Sequence, residues 1–169
     1  MAVTTIPTAG ITDATIVTAD LADDAVTAAK AAFSPGKIGQ VVQTVSTSKI
    51  ASTSTSFTDV LTVAITPTAT SSKVLIQFVG SFGAGQNNTD NFYQILRGST
   101  VLQVPQSIRI NDIASNRSYT SQILDSPSTT SEVTYKMQFK CETNEVFLNR
   151  GNSNNQKGFT TFTLMEVLA

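Results

Sequence analysis

From Gly39 to the end of the chain, apolar and polar residues alternate with a period of two, which is the pattern of half-buried β-strands. The clearest case is residues 132–141, where apolar residues at odd positions alternate with polar residues at even positions. Further strands are predicted over residues 41–45, 57–65, 73–81, 91–97, 100–104, 117–124, 145–149 and 159–168.

Turn-forming residues separate these segments. Gly98-Ser99 has the composition of a two-residue hairpin turn, and residues 83–90 and 151–158 form polar loops rich in Gly and Asn. Short strands at fairly even spacing, with no helical period between them, are typical of all-β folds. The sequence therefore predicts an antiparallel, jelly-roll-like β-sandwich, with a barrel as the remaining alternative.

In the first 36 residues the apolar positions follow a different period. Ile6, Ile11, Ile16, Leu21 and Val26 stand five residues apart, a spacing that belongs to neither a helix nor a strand. A repeat this short cannot stack into a core of its own. We therefore expect these side chains, together with Phe33, to anchor the chain to a partner or to further copies of itself.

A chain breaker, Ser34-Pro35-Gly36, ends this segment and divides the chain into an N-terminal arm, residues 1–36, and a sandwich domain, residues 37–169. Part of the arm also fits a short helix over residues 20–33. Asp20 can cap such a helix, and the residues from Leu21 to Phe33 recur at four-residue steps. The sequence leaves the pentad and the helix open as alternatives.

Composition narrows the classes of partner. Charged residues make up 14% of the 169 residues and the net charge is −1, so no basic surface is available to attract phosphates. Ser and Thr make up about a quarter of the chain and supply much of its polar surface. We expect no nucleic-acid partner, and no apolar run is long enough to predict membrane insertion or a secretory signal.

The available chemistry argues against an enzyme. The chain has no histidine, which removes the common general base and the imidazole ligand of many metal sites. No cofactor, metal or catalytic residue is predicted, and the lone Cys141 falls on an apolar face, where it is expected to fill the core. A pair of carboxylates is the one catalytic alternative, with candidates Asp90, Asp112, Asp125, Glu132, Glu142 and Glu145.

Aromatic and amide side chains near the polar loops suggest a carbohydrate contact. Sugars stack on aromatic faces and bond to amides, and the candidates here are Asn87, Phe92, Tyr93, Tyr119 and Asn152. The same aromatic residues also fit ordinary core positions of strands. The pattern therefore leaves two alternatives for these side chains, a host-glycan site and a structural role in the core.

Residues 10–33, GITDATIVTADLADDAVTAAKAAF, resemble units near the front of many bacteriophage fibre proteins, especially those of phages of cyanobacteria. The segments SFTDVLTVAITPTATSSKVLIQF, FYQILRGSTVL, LDSPSTTSEVTYKMQF and TFTLMEV are similar to the β-sandwich tips of such virion proteins. Together these segments cover most of the chain.

This resemblance implies a non-enzymatic structural protein on the virion surface. It would be a homotrimer, anchored to capsid or tail proteins by the N-terminal arm, with its sandwich tips outward. The chain lacks the extended shaft of a long tail fibre, which adds a capsid-decoration (cement) protein to the short fibre as a possible role. A receptor-binding fibre tip that holds host glycans is the alternative.

Overall fold

The structure is a computed structural model that describes residues 37–112, 116–150 and 158–168. The arm with its anchoring residues and its alternative helix over 20–33, as well as Asn152, lie outside the described residues. The strands are β1 (Ile38–Ser46), β2 (Ile50–Ser52), β3 (Thr58–Ile65), β4 (Lys73–Ala84), β5 (Thr89–Arg97), β6 (Thr100–Ile110), β7 (Arg117–Asp125), β8 (Val133–Cys141), β9 (Val146–Leu148) and β10 (Thr160–Val167).

The strands form two antiparallel sheets. Sheet A has the order β1–β10–β4–β7, and the short β2 and β9 extend it beside the last residues of β4. Sheet B has the order β3–β8–β5–β6. Because one face of every long strand is apolar, the two sheets bury those faces against each other and form one core.

The pairing is nested, which identifies the jelly roll. The first long strand pairs with the last, β1 with β10, and the next pairs inward are β3 with β8, β4 with β7, and β5 with β6. The chain is thus one long hairpin, rolled up around its tip at Gly98-Ser99, where Gly98 has a φ of +57°. The predicted fold class is confirmed, and two separate sheets replace the barrel alternative.

Three details differ from the sequence prediction. β2 lies in a Ser- and Thr-rich stretch that was expected to be a plain connection, and β4 and β5 extend into residues 83–90, which leaves only residues 85–88 as a loop. β6 continues through Pro105 to Ile110, beyond the predicted strand over residues 100–104. It can do so because β6 is an edge strand and the register shifts where Pro105 lies.

An aromatic cluster fills the middle of the core. The ring of Phe78 lies 5.7 Å from that of Tyr93 and 6.4 Å from that of Phe162, and Phe82 lies 5.6 Å from Tyr93. Gly80 makes room for this cluster, since a Cβ there would lie 2.5 Å from Cζ of Phe78. The Phe78–Phe162 pair is edge-to-face and the two pairs with Tyr93 are tilted, and aromatic pairs of this kind add to the energy of area burial.

The sandwich has two distinct ends. At one, the N-terminal end, β1 begins and β10 ends, and the amide of Leu168 donates to the carbonyl of Lys37 at 2.8 Å. We call the other end the loop end. It contains the β4–β5 turn, the β6–β7 and β8–β9 connections and the start of the β9–β10 connection. No helix in the described part of the chain is long and apolar enough to cross a membrane.

Two buried carboxylates join the elements at the N-terminal end. Asp125 of β7 accepts two bonds from the Arg97 guanidinium of β5, at 2.9 and 3.0 Å, and one from the Tyr135 hydroxyl of β8 at 2.8 Å. Burial, followed by the bond to Asp125, raises the pKa of Tyr135. This cluster links sheet A to sheet B, so losing one partner would leave a buried charge unpaired.

Glu166, on the inner face of β10, is the second carboxylate. It accepts hydrogen bonds from the side chain of Gln40 and from both the amide and the hydroxyl of Thr68, each at 2.7 Å. Burial acts to raise its pKa, but these bonds to the charged form outweigh burial and lower the pKa to about 2. Glu166 therefore holds β1 and the β3–β4 connection in place.

We predict that Glu166→Gln destabilises the fold at neutral pH and removes part of its acid sensitivity. Because the folded-state pKa lies below the ordinary value of 4.5, the contribution of Glu166 is complete above pH 4.5 and is lost as pH falls towards 2. The difference in pKa corresponds to a contribution on the order of 3 kcal/mol. Urea unfolding at pH 7, 4.5 and 3 measures the free energy of unfolding of wild type and variant. The difference between the two should become smaller as the pH falls, and a difference that stays constant would contradict this role of Glu166.

Candidate interaction surfaces

The loop end is held together by backbone hydrogen bonds between connections that are distant in sequence. The amide of Gly85 donates to the carbonyl of Glu145 at 2.8 Å, and that of Glu142 donates to the carbonyl of Asp90 at 3.0 Å. Three residues with positive φ also lie here, and all three are asparagines, at positions 88, 144 and 149. Asparagine tolerates this conformation better than most residues, which is why Asn-rich turns cluster at this end.

Asn149 is a buried organising residue that the sequence did not single out. Its side-chain amide donates to the carbonyls of Ser46 and Ser48, each at 3.0 Å, while its carbonyl oxygen accepts a bond from the Thr160 hydroxyl at 2.7 Å. It lies at the start of the connection that leads to β10. Its neighbours in space are far apart in sequence, so no local pattern could reveal this role.

Two cations lie near one aromatic ring on the outer side of β9. The Lys49 ammonium is 4.2 Å from the ring centre of Phe147, and the Arg150 guanidinium is 4.7 Å from it. Arg150 also donates to the carbonyl of Ala84 at 2.8 Å. Cations at this distance are attracted to the ring, so the arrangement fixes the start of the β9–β10 connection.

The four carbohydrate candidates that the structure describes do not form one platform. Tyr93 is only 3% exposed and its ring belongs to the core, while Tyr119 packs edge-on against Phe82 and is partly buried. Phe92 lies on the opposite, outer face of sheet B, and Asn87 is exposed in the β4–β5 turn. Adjacent strand residues point to opposite faces, so Phe92 and Tyr93 cannot stack on the same ligand.

Phe92 instead belongs to a smaller cluster that the sequence did not predict. The Lys140 ammonium lies 5.2 Å from the ring centre of Phe92 and 5.2 Å from that of Phe57. Phe92 and Lys140 are directly opposite each other on β5 and β8. This cluster is partly exposed on the outer face of sheet B.

The candidate carboxylates are spread over the sandwich. Asp125 is committed to Arg97 and Tyr135, and Asp90 accepts a bond from Arg109 at 2.9 Å. Glu132, Glu142 and Asp112 lie at exposed positions in separate connections, and Glu145 packs beside Gly85. No group of three or more potential metal ligands occurs within residues 37–112, 116–150 and 158–168.

Cys141 lies on the inner face of β8, as predicted. Its thiol is buried and lies 3.4 Å from the carbonyl oxygens of Ser54 and Asn144. Burial raises the pKa of this thiol, which keeps it in the neutral form. The side chain is therefore part of the core.

Comparisons with known proteins give similarities to solved structures only. No family model matches the chain, and no curated protein matches it. The subviral particle of infectious bursal disease virus VP2 is 9% identical over 77% of this chain and 37% of that chain, with a TM-score of 0.43, and the Gt strain of that virus is 11% identical over 80% and 39%, with a TM-score of 0.45.

A third similar structure is a pilus of Bacillus endospore appendages. It is 12% identical over 81% of this chain and 96% of that chain, with a TM-score of 0.39. The chain thus spans well under half the length of the viral proteins that it matches. All three TM-scores are below 0.5, so the functional assignment rests on the residues of this chain.

The placement of the two neighbouring aromatics leads to a prediction. Tyr93→Ala should lower the free energy of unfolding by about 3–5 kcal/mol, because it removes a buried ring from the aromatic cluster, whereas Phe92→Ala should cost about 1 kcal/mol or less. Thermal and urea unfolding of both variants measures this. Equal losses would contradict the assignment of the two side chains to opposite faces.

Proposed function

We propose that this chain is a non-enzymatic structural protein of a bacteriophage particle, a short homotrimeric fibre or a capsid-decoration protein. Residues 1–36 anchor it to capsid or tail proteins, and the sandwich is the part that faces outward on the virion surface. The resemblance of residues 10–33 to the front of phage fibre proteins is the starting point for this assignment.

One observation of the structure carries the proposal. Lys37, where the arm joins the sandwich, lies at the opposite end of the domain from the β4–β5 and β8–β9 connections. The core of the described residues is formed by side chains of both sheets. The described chain thus begins at the end of the sandwich away from these connections, which supports attachment through residues 1–36 and an outward-facing loop end.

The arm supplies the energy for anchoring. Burying one Ile, Leu or Val side chain is worth roughly 1.5–3 kcal/mol. Each pentad residue that contacts a partner therefore adds to the stability of the attachment, and replacing two of them with polar residues removes a large part of it.

We predict that Ile11→Asn with Ile16→Asn in the full chain abolishes incorporation into particles. The matched control is Thr12→Asn with Thr18→Asn, which places the same amide between pentad positions. Mass spectrometry of gradient-purified particles measures incorporation, and circular dichroism checks that both variants keep the fold. Undiminished incorporation of the isoleucine variant would refute the anchor.

Host-glycan binding is the second candidate function, and one observation favours it. The partly exposed Phe57–Lys140–Phe92 cluster offers two aromatic rings and a cation on one surface, which suits a sugar that carries a carboxylate or sulfate. In this proposal the chain is a receptor-binding fibre tip as well as a structural protein.

An acidic-glycan array tests this second function with the full chain. We expect binding that Phe92→Ala and Lys140→Ala reduce, while Phe159→Ala, which removes an exposed aromatic side chain from another part of the sandwich, leaves it unchanged. Binding that all three variants retain would place the glycan site elsewhere, and no binding by the wild type would remove this function.

A further inference from the structure

The two outer faces of the sandwich differ in charge. The outer face of sheet B carries the ion pairs Lys136–Asp59 at 2.7 Å and Arg109–Asp90 at 2.9 Å, and Gln138 donates to Asp59 at 2.6 Å. The hydrogen bond from Lys136, followed by the one from Gln138, lowers the pKa of Asp59. Sheet B thus has the charged, solvated face that an exposed antiparallel sheet normally presents.

Along its four long strands, the outer face of sheet A carries a single charge, and the cations Lys49 and Arg150 lie to one side, over Phe147 of β9. The 17 positions on the long strands include one charged residue, Lys73, and the others are aliphatic residues, Met, Ser, Thr and Gln. They are residues 38, 41, 43 and 45 of β1, 161, 163, 165 and 167 of β10, 73, 75, 77, 79 and 81 of β4, and 118, 120, 122 and 124 of β7. A face of this size with one charge is typical of a covered surface.

An apolar row crosses this face from one edge to the other. The strand register places Val41 of β1 opposite Met165 of β10, Met165 opposite Leu75 of β4, and Leu75 opposite Leu124 of β7. The two ends of the row are the most open, since Val41 is 57% exposed and Leu124 is 52% exposed. We call these four residues the apolar row.

The size of the face sets how much surface a ring of copies can bury. Four strands about 4.8 Å apart, each contributing about seven residues at about 3.3 Å, span on the order of 400–500 Å² per copy. Three copies that face a common axis would then bury about 1,200–1,500 Å² in total, shared among three contacts. Lys73 is the one charged side chain on these strands, so neighbouring copies meet little like-charge repulsion there.

We propose that the outer face of sheet A is the contact surface between copies of this chain, and that in the homotrimer it faces the three-fold axis. This inference rests on the proposed function, which requires a trimer. A closed ring of three uses two different edges of each copy, and the apolar row reaches both edges of sheet A. The β1 edge of one copy therefore meets the β7 edge of the next, with Val41 near Leu124 of the neighbour.

Single charges placed at the ends of the row test the proposal in the full chain. Val41→Lys and Leu124→Lys should each weaken association by about a hundredfold or more, because an unpaired ammonium would be buried in every contact. Val104→Lys is the matched control, since Val104 is 69% exposed on β6, the edge strand of sheet B, and should leave association unchanged. Light scattering and sedimentation equilibrium measure the number of chains.

A charge-pairing variant tests which edges meet. Val41→Lys combined with Leu124→Glu should restore much of the association, whereas Val41→Lys combined with Leu124→Lys should remain a single chain. Thermal unfolding checks that each variant is folded. If a variant at an end of the row is not folded, Thr120→Lys, at an exposed position of the same face, takes its place.

The outcomes separate this inference from the proposed function. A wild-type trimer that the charges on sheet A leave intact, or that Val104→Lys dissociates, overturns the contact surface while the trimer itself stands. A wild type of two chains overturns the three-fold arrangement. A wild type that is a single chain at all concentrations overturns both, as does a finding that the arm of the same chain covers sheet A.

Discussion

Every strand in this protein has two faces, but the sandwich has only one core. The inner faces form the core around Phe78 and Tyr93. Gly80 leaves space for the ring of Phe78, with which a Cβ at this position would clash. The outer faces are then free to differ: sheet B carries several ion pairs, whereas the four long strands of sheet A carry one charged residue. The alternation that builds the core thereby also creates the surface available for assembly.

The jelly-roll connectivity places strands that are distant in sequence side by side, and buried polar residues hold them in register. Glu166 of β10 accepts hydrogen bonds from β1 and from the β3–β4 connection. Asp125 of β7 in sheet A accepts hydrogen bonds from β5 and β8 of sheet B. Both lie at the N-terminal end of the sandwich. This end of the sandwich is therefore held together by buried polar contacts between distant strands.

The candidate carbohydrate residues show how far a local pattern can lead. Tyr93 and Phe92 were close in sequence and near a polar loop, yet strand geometry sends one ring into the core and the other to the surface of sheet B. The surface cluster that does form joins Phe92 to Lys140 and Phe57. These residues come from three strands or their flanks, so their proximity depends on sheet order.

The sequence by itself determined the all-β class, most strand positions and the buried position of Cys141, because a period of two and turn residues are local properties. Only the tertiary structure decided which strands pair, that Asn149 and Glu166 organise distant segments, and that Val41, Met165, Leu75 and Leu124 form one row. The physical reason is that strand pairing joins residues far apart in the chain, and hydrogen bonds of the backbone carry no side-chain identity from which a partner strand could be inferred.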